Sequence, residues 1–175
     1  NTTASSGTAI GSYALVNVTT GSYNIGLGQE SGKNITTGTH NIGIGWQTFA
    51  NGTCTGDYNN GIGRRALYDC TSGAANNVVG YYGLYNVTTG TDNSGIGHQS
   101  GYYITTGSNN LCLGKNAGMA DSPSGSITTG SNKVVLGNNS TTDLYCADTS
   151  ISSSDQRDKA DIEDFTAGLS FVNKM

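Results

Sequence analysis

A glycine preceded by an aliphatic residue recurs at almost every seventeenth position along this chain. A period that short and regular is the signature of a solenoid, with one coil per repeat. The marker glycines are Gly11, Gly28, Gly45, Gly63, Gly80, Gly97, Gly114 and Gly137, and the steps between them are 17, 17, 18, 17, 17, 17 and 23. Composition sharpens the constraint. Only 34% of the 175 residues are hydrophobic and 27 are glycine, which is too little apolar material for an ordinary globular core. Without a period such a sequence would stay unfolded. With one, stacked coils pair their backbones and share a thin continuous core.

The repeat can be read as columns. Seven residues before each later marker stands another glycine: Gly21, Gly38, Gly56, Gly73, Gly90, Gly107 and Gly130. A glycine repeated at one place in a coil implies a turn with positive φ or a close backbone approach. Before it lie Thr-Thr pairs such as Thr19-Thr20 and Thr88-Thr89, preceded by an apolar column, Val18, Ile35, Val87, Ile104 and Ile127. These β-branched residues predict a first short strand. After the turn comes a second strand. It opens on Asn24, Asn41, Asn59, Asn76, Asn93 or Asn110, with Lys133 in the last repeat. Stacked asparagines predict an amide ladder.

The expected coil is therefore strand, glycine turn, strand, second turn. Coils stacking about 4.8 Å apart would build a rod of roughly 35–40 Å from eight repeats. The aliphatic residues before the markers, Ile10, Leu27, Ile44, Ile62, Val79, Ile96, Leu113 and Leu136, are expected to face the core. The opposite, glycine-bearing face would then be bare, open to a second sheet or chain. A single roll this thin buries little apolar area against its backbone entropy. Several chains packing together, three in our expectation, would remedy that.

The two residues after each marker vary: Ser12-Tyr13, Gln29-Glu30, Trp46-Gln47, Arg64-Arg65, Tyr81-Tyr82, His98-Gln99 and Lys115-Asn116. Variation beside a fixed scaffold marks an outward rim. Trp46, Arg64, Arg65, Tyr81, Tyr82 and His98 are the candidate receptor contacts, since aromatic faces stack on sugar rings and arginines fork onto acidic groups. The competing reading is that these residues pack on neighbouring turns or on another chain. The last full repeat is longer, and Met119 to Ser126, with the only proline, Pro123, is expected to protrude as a small loop.

Other chemistry is sparse. Cys54 stands in the column of the first threonine and Cys70 in the adjacent apolar column, so their side chains are expected on opposite faces. Free thiols are expected, and no Cys-x-x-Cys spacing suggests a metal. No cofactor is implied. His40 and His98 occupy different columns, and the rod's carboxylates are too sparse to pair as a hydrolase dyad. The Asn-x-Thr sequences at Asn17, Asn34, Asn51 and Asn86 follow from the repeat itself. Adjacent threonines put only one hydroxyl per coil on a given face, unlike the Thr-x-Thr of flat ice-binding solenoids. Scattered bases in a chain of net charge −4 do not make a nucleic-acid stripe, and no apolar stretch is long enough to insert in a membrane.

The charge pattern breaks near Ser154: residues 155–175 carry five acids and three bases. This divides the chain into a repeat shaft at 1–139, a linker at 140–154 and a charged segment at 155–175. The chain begins mid-repeat and stops mid-pattern, which points to a piece of a longer protein.

That last segment reads Ser154-Asp155-Gln156-Arg157-Asp158-Lys159-Ala160-Asp161-Ile162, then Gly168-Leu169-Ser170-Phe171-Val172-Asn173-Lys174-Met175. It resembles the start of the intramolecular chaperone, or self-cleaving, domain at the C-terminus of phage tail fibres and endosialidase-type tailspikes. That family opens Ser-Asp-x-Arg-x-Lys-x-x-Ile, followed by a short helix of the type Gly-Leu-x-Phe-Ile-Asn-Lys-Leu. The likeness covers about residues 152–175. The rod also resembles repeats that precede this domain in viral fibres and, more distantly, the β-roll heads of trimeric autotransporter adhesins.

The resemblance implies a homotrimeric fibre that cuts itself at Ser154–Asp155, with Ser154 and Lys159 as the reactive pair. A desolvated lysine can serve as general base to a serine hydroxyl. Asp158, where the family often has leucine, would blunt that basicity, and the family's domain continues beyond the equivalent of Met175. The whole reading is an all-β parallel solenoid, a homotrimeric rod with a short C-terminal helix, serving a virion as a structural and adhesive tail-fibre segment. It would be assembled in the host cytoplasm, contact a host cell-surface receptor such as a glycan, and carry no enzyme activity in the shaft. The alternatives are a bacterial trimeric adhesin and a glycan-cleaving tailspike.

Overall fold

The computed structural model describes residue 4 and residues 6–145. Cys146, the self-cleavage pair Ser154 and Lys159, and the expected C-terminal helix lie outside the described residues. The coils belong to one compact unit, Asn1–Thr142; of a second unit, Asp143–Met175, only Asp143–Tyr145 are described.

Eight three-residue strands form one parallel sheet in chain order, one strand per coil. They are β1 (Thr8–Ile10), β2 (Ile25–Leu27), β3 (Ile42–Ile44), β4 (Asn60–Ile62), β5 (Asn77–Val79), β6 (Ser94–Ile96), β7 (Leu111–Leu113) and β8 (Val134–Leu136). Each residue pairs with its repeat-mate, as Ile25 with Ile42 and Leu27 with Ile44, so the register is the sequence period itself. The chain is thus a parallel β-solenoid in which one coil is one sequence repeat.

The expected first strand does not form. At the Thr-Thr segments only an isolated bridge, Ile35 to Cys54, is present. Coil-to-coil bonds still run there: the Thr19 N–H donates to the Thr36 carbonyl (3.0 Å) and the Thr88 N–H to the Thr105 carbonyl (3.0 Å). The first threonine hydroxyl adds a parallel bond, Thr71 Oγ1 to the Thr88 carbonyl at 2.9 Å.

The inward and outward faces of the sheet are the reverse of the expectation. The middle residue of each strand from β2 to β8 is the buried one: Gly26, Gly43, Gly61, Val78, Gly95, Cys112 and Val135. The aliphatic column before the markers points outward, and Ile10, Ile62, Val79, Ile96 and Leu136 are 65%, 39%, 48%, 55% and 40% exposed. The physical reason lies across the coil. Leu15, Phe49, Leu67 and Leu84, four residues after their markers, reach inward from a left-handed backbone conformation (φ 51, 48, 52 and 45°). The interior is too thin for a second large residue opposite them. A Cβ on Gly26 would stand 2.9 Å from Leu15 Cγ, and one on Gly95 3.3 Å from Leu84 Cγ. Where the inward strand residue is larger, a glycine stands across the coil: Cys112 lies against Gly101 and Gly118 of that column, and Val78 against Gly83 of the column beside it. Val18, Ile35, Val87, Ile104 and Ile127 complete the core. The small residues three after each marker, Ser31, Thr48, Ala66, Gly83, Ser100 and Ala117, are buried with it and are not part of the outward rim.

The expected amide ladder forms. Asn24, Asn41, Asn59, Asn76, Asn93 and Asn110 are all buried. The Asn76 amide donates to Asn59 Oδ1 (3.1 Å) and to the Gly90 carbonyl (2.8 Å). Its Oδ1 accepts from the Asn93 backbone N–H (3.0 Å) and side-chain amide (3.0 Å). At the end of the ladder the Lys133 N–H still donates to Asn110 Oδ1 at 3.1 Å. Each amide thereby satisfies buried backbone groups that so short a strand leaves over.

Positive φ occurs at the marker glycines and at three non-glycine columns, but not at Gly21, Gly38, Gly56, Gly73, Gly90, Gly107 or Gly130. Of the two expected reasons for that glycine column, the close backbone approach is the one that holds. A Cβ on Gly73 would overlap the Gly90 carbonyl oxygen of the next coil.

Cys54 and Cys70 do not face opposite ways. The coil with one extra residue slips its pairing, so that Cys54 bridges Ile35 and enters the apolar column. There its Sγ lies 3.7 Å from Cys70 Sγ, both fully buried as free thiols. A hydrogen bond with Cys54, together with burial, pushes the Cys70 thiol well above its usual range. Burial also pushes Cys112 up to about 11. Neither is poised as a nucleophile.

The insertion after Met119 closes on itself. The Ile127 N–H donates to the Gly118 carbonyl (3.0 Å), and buried Ser122 accepts from the Gly118 N–H at 3.2 Å. Pro123 and Ser124 at its tip are exposed.

Candidate functional site

Each marker glycine turns the chain off the sheet, and the second residue after it adopts positive φ: Gln47 58°, Arg65 53°, Tyr82 56° and Gln99 56°. The N–H of this residue donates to the carbonyl one position earlier in the preceding coil. Arg65 N–H bonds Trp46 O (2.9 Å), Tyr82 N–H bonds Arg64 O (3.0 Å), and Gln99 N–H bonds Tyr81 O (2.8 Å). The rim side chains are thereby stacked in two files, one rung per coil.

All six candidate contacts fall in these files and meet. In the first file the Arg64 guanidinium lies 4.5 Å from the Trp46 ring and 5.3 Å from that of Tyr81, and Nη1 donates to Tyr81 Oη at 3.1 Å. Tyr81 then stacks on His98 at 5.0 Å and 7°. In the second file Arg65 Nε donates to Gln47 Oε1 (2.8 Å) and Nη1 to Tyr82 Oη (3.2 Å). Gln47 in turn donates to Glu30 Oε2 at 3.1 Å.

Sequence inspection missed a third file, Tyr68, Tyr85 and Tyr102, stacked at 4.9 and 5.0 Å. The Arg65 guanidinium lies 5.1 Å over Tyr68. The signal was available as a tyrosine recurring once per repeat, at the fifth place after its marker.

The geometry separates two ways a rim can bind. Tyr81 has Arg64 on one side and His98 on the other, so its ring faces are used within the rod. What it offers outward is its edge and hydroxyl. Arg64 is exposed and Arg65 half-buried. Among the described residues the one ion pair is Lys33–Glu30 at 3.4 Å, so neither guanidinium is matched by a carboxylate. Burial opposes the Arg65 charge, but Tyr82, Tyr85 and Tyr68 outweigh it and hold its pKa above the ordinary value. The Tyr82 phenol is held below its usual range, first by its hydrogen bond with Tyr81 and then by both arginines against a burial effect. Tyr81 is displaced upward by the same bond. Cation–π contact and fixed hydrogen bonds together pre-position the arginines, at a cost in side-chain freedom already met within the fold.

Elsewhere the ring stack Tyr23–His40–Tyr58, at 4.7 and 5.1 Å, runs along the corner before the sheet. Asn17, Asn34 and Asn51 are joined to the coils by their own amides: Asn17 donates to Asn34 Oδ1 (2.8 Å) and Asn51 to Asp69 Oδ1 (2.6 Å). Among the described residues no three His, Cys, Asp or Glu side chains gather as metal ligands, and no helix is long and apolar enough to cross a membrane. Compared with protein-family models, curated proteins and solved structures, the chain gives no match.

Proposed function

We propose that this chain is a structural and adhesive segment of a phage-type tail fibre, working as a homotrimer whose copies meet through the outer face of the sheet. The observation that carries this is the outward column Ile10, Leu27, Ile44, Ile62, Val79, Ile96, Leu113 and Leu136, aliphatic in every coil. An unbroken apolar ladder is a liability on a lone rod. Covering it gains about 25 cal/mol for each Å² of apolar surface removed from water.

A second copy of the chain is the partner that matches it. A complementary surface must repeat at the strand spacing over all eight coils, and a copy turned about the rod axis repeats at that spacing in register. Between β4 and β6 the neighbouring outward column changes to Asn60, Asn77 and Ser94, and Asn60 donates to Asn77 Oδ1 at 2.6 Å. A polar notch in an apolar seam fixes register between copies. The C-terminal likeness supports the same reading: a chaperone that assembles trimers would then release the shaft by cleavage at Ser154–Asp155, using Ser154 and Lys159.

Sedimentation tests the association. The wild-type chain is expected to run as a trimer. Val79→Asp with Ile96→Asp, which puts charges on the ladder without touching the core, is expected to give folded monomers. A wild-type chain that stays monomeric across the concentration range would refute the reading.

A further inference from the structure

The rod itself does not require the arginine–aromatic rim. The same two positions are Ser12-Tyr13 and Gln29-Glu30 in earlier coils and Lys115-Asn116 in a later one, on the same backbone. Trp46, Arg64, Arg65, Tyr81, Tyr82 and His98 are confined to four successive coils. Two adjacent guanidiniums there lie close together without a carboxylate, in a chain whose net charge is −4. Arg64 uses Nη1 on Tyr81, and Arg65 uses Nε and Nη1 on Gln47 and Tyr82. That leaves Nη2 of both side chains, and Nε of Arg64, to fork onto an anion.

We propose that this edge binds an acidic carbohydrate, a sugar bearing a carboxylate, held by Arg64 and Arg65. An anion is favoured by the two guanidiniums, neither of which has a carboxylate partner. The sugar is favoured over a bare inorganic anion because the flanking groups can exchange hydrogen bonds with hydroxyls: Tyr81 Oη, Tyr82 Oη and the His98 imidazole. The ring does not stack on Tyr81, whose faces are taken by Arg64 and His98; recognition runs through N–H and O–H edges. The inference rests on the adhesive half of the proposed function and is independent of how the copies meet.

Calorimetric titration with an oligogalacturonate, a neutral maltooligosaccharide and inorganic phosphate tests it. The oligogalacturonate is expected to bind with a Kd of about 1 mM or tighter, weakening with salt, while the neutral sugar does not bind. Arg64→Gln with Arg65→Gln is expected to lower that affinity at least about tenfold while the coils stay folded. Should the double variant fold poorly, Arg64→Gln alone is expected to lose severalfold. Lys115→Ala, on the same rim, should bind like the wild type. No binding of the oligogalacturonate, equal binding by the arginine variants, or equally tight binding of phosphate would overturn the proposal. Sedimentation of the same samples separates the two readings, since loss of sugar binding with intact association leaves the fibre assignment standing.

Discussion

Replacing Asn76 by alanine is expected to open the middle of the rod. The substitution removes four hydrogen bonds from a buried ladder and orphans two backbone groups, the Gly90 carbonyl and the Asn93 N–H. Asn93 keeps a donor bond to the Gly107 carbonyl at 2.8 Å, so the loss concentrates on those two groups. At roughly 2 kcal/mol for each buried orphan, the cost is about 4 kcal/mol. In a solenoid it falls on the coil interfaces nearest the change. Hydrogen exchange is the right probe: protection of the Asn93 amide and of strands β5 and β6 should collapse while β2 and β3 stay protected. Uniform protection along the whole rod would show that the amides do not carry the stacking.

Gly73→Ala is the second large effect. Its φ is not positive, so the substitution puts little direct strain on the turn. The added methyl instead meets the Gly90 carbonyl of the coil above. Relief requires the two coils to separate, which breaks the Gly73 N–H bond to the Thr88 carbonyl (3.0 Å). The cost is expected to be about 3 kcal/mol, at the upper end for overpacking. Thermal melting checks it against Gly125→Ala. Gly125 lies in the insertion loop with nothing within 4 Å of its Cβ, though its φ of 62° brings a small backbone penalty of its own. Equal melting of the two variants would remove close approach as the reason for that glycine column.

The period, the parallel stacking, the asparagine ladder and the rim positions all follow from residue spacing, because in a solenoid the repeat length is the strand register. The two sides of the sheet were not legible in the same way. Ile62, Val79 and Ile96 look like core residues by their chemistry, and alternation alone cannot say which face is inside. The deciding column was Leu15, Gly32, Phe49, Leu67, Leu84, Gly101 and Gly118, either large and apolar or glycine, and the glycines hid its pattern. Its left-handed backbone, unusual for leucine and phenylalanine, is imposed by the coil and not by local preference. Cys54 was misplaced for a related reason: one extra residue in a coil moves every later side chain by one position until the ladder recovers. The rim residues were found by their variability. Their mutual stacking depends instead on the coil separation of about 5 Å, a property of the stack and not of any one repeat.

The outward ladder as the meeting surface of identical copies is most directly tested by placing a cysteine on it in a Cys146→Ser background, where Cys54, Cys70 and Cys112 are buried. With a short thiol cross-linker, Ile96→Cys should couple copies through Cys-to-Cys links in register, and Thr106→Cys, exposed in the threonine column, should not. Efficient coupling at position 96 alone is the predicted result. Coupling at 106 and not at 96, or at neither, would contradict the account.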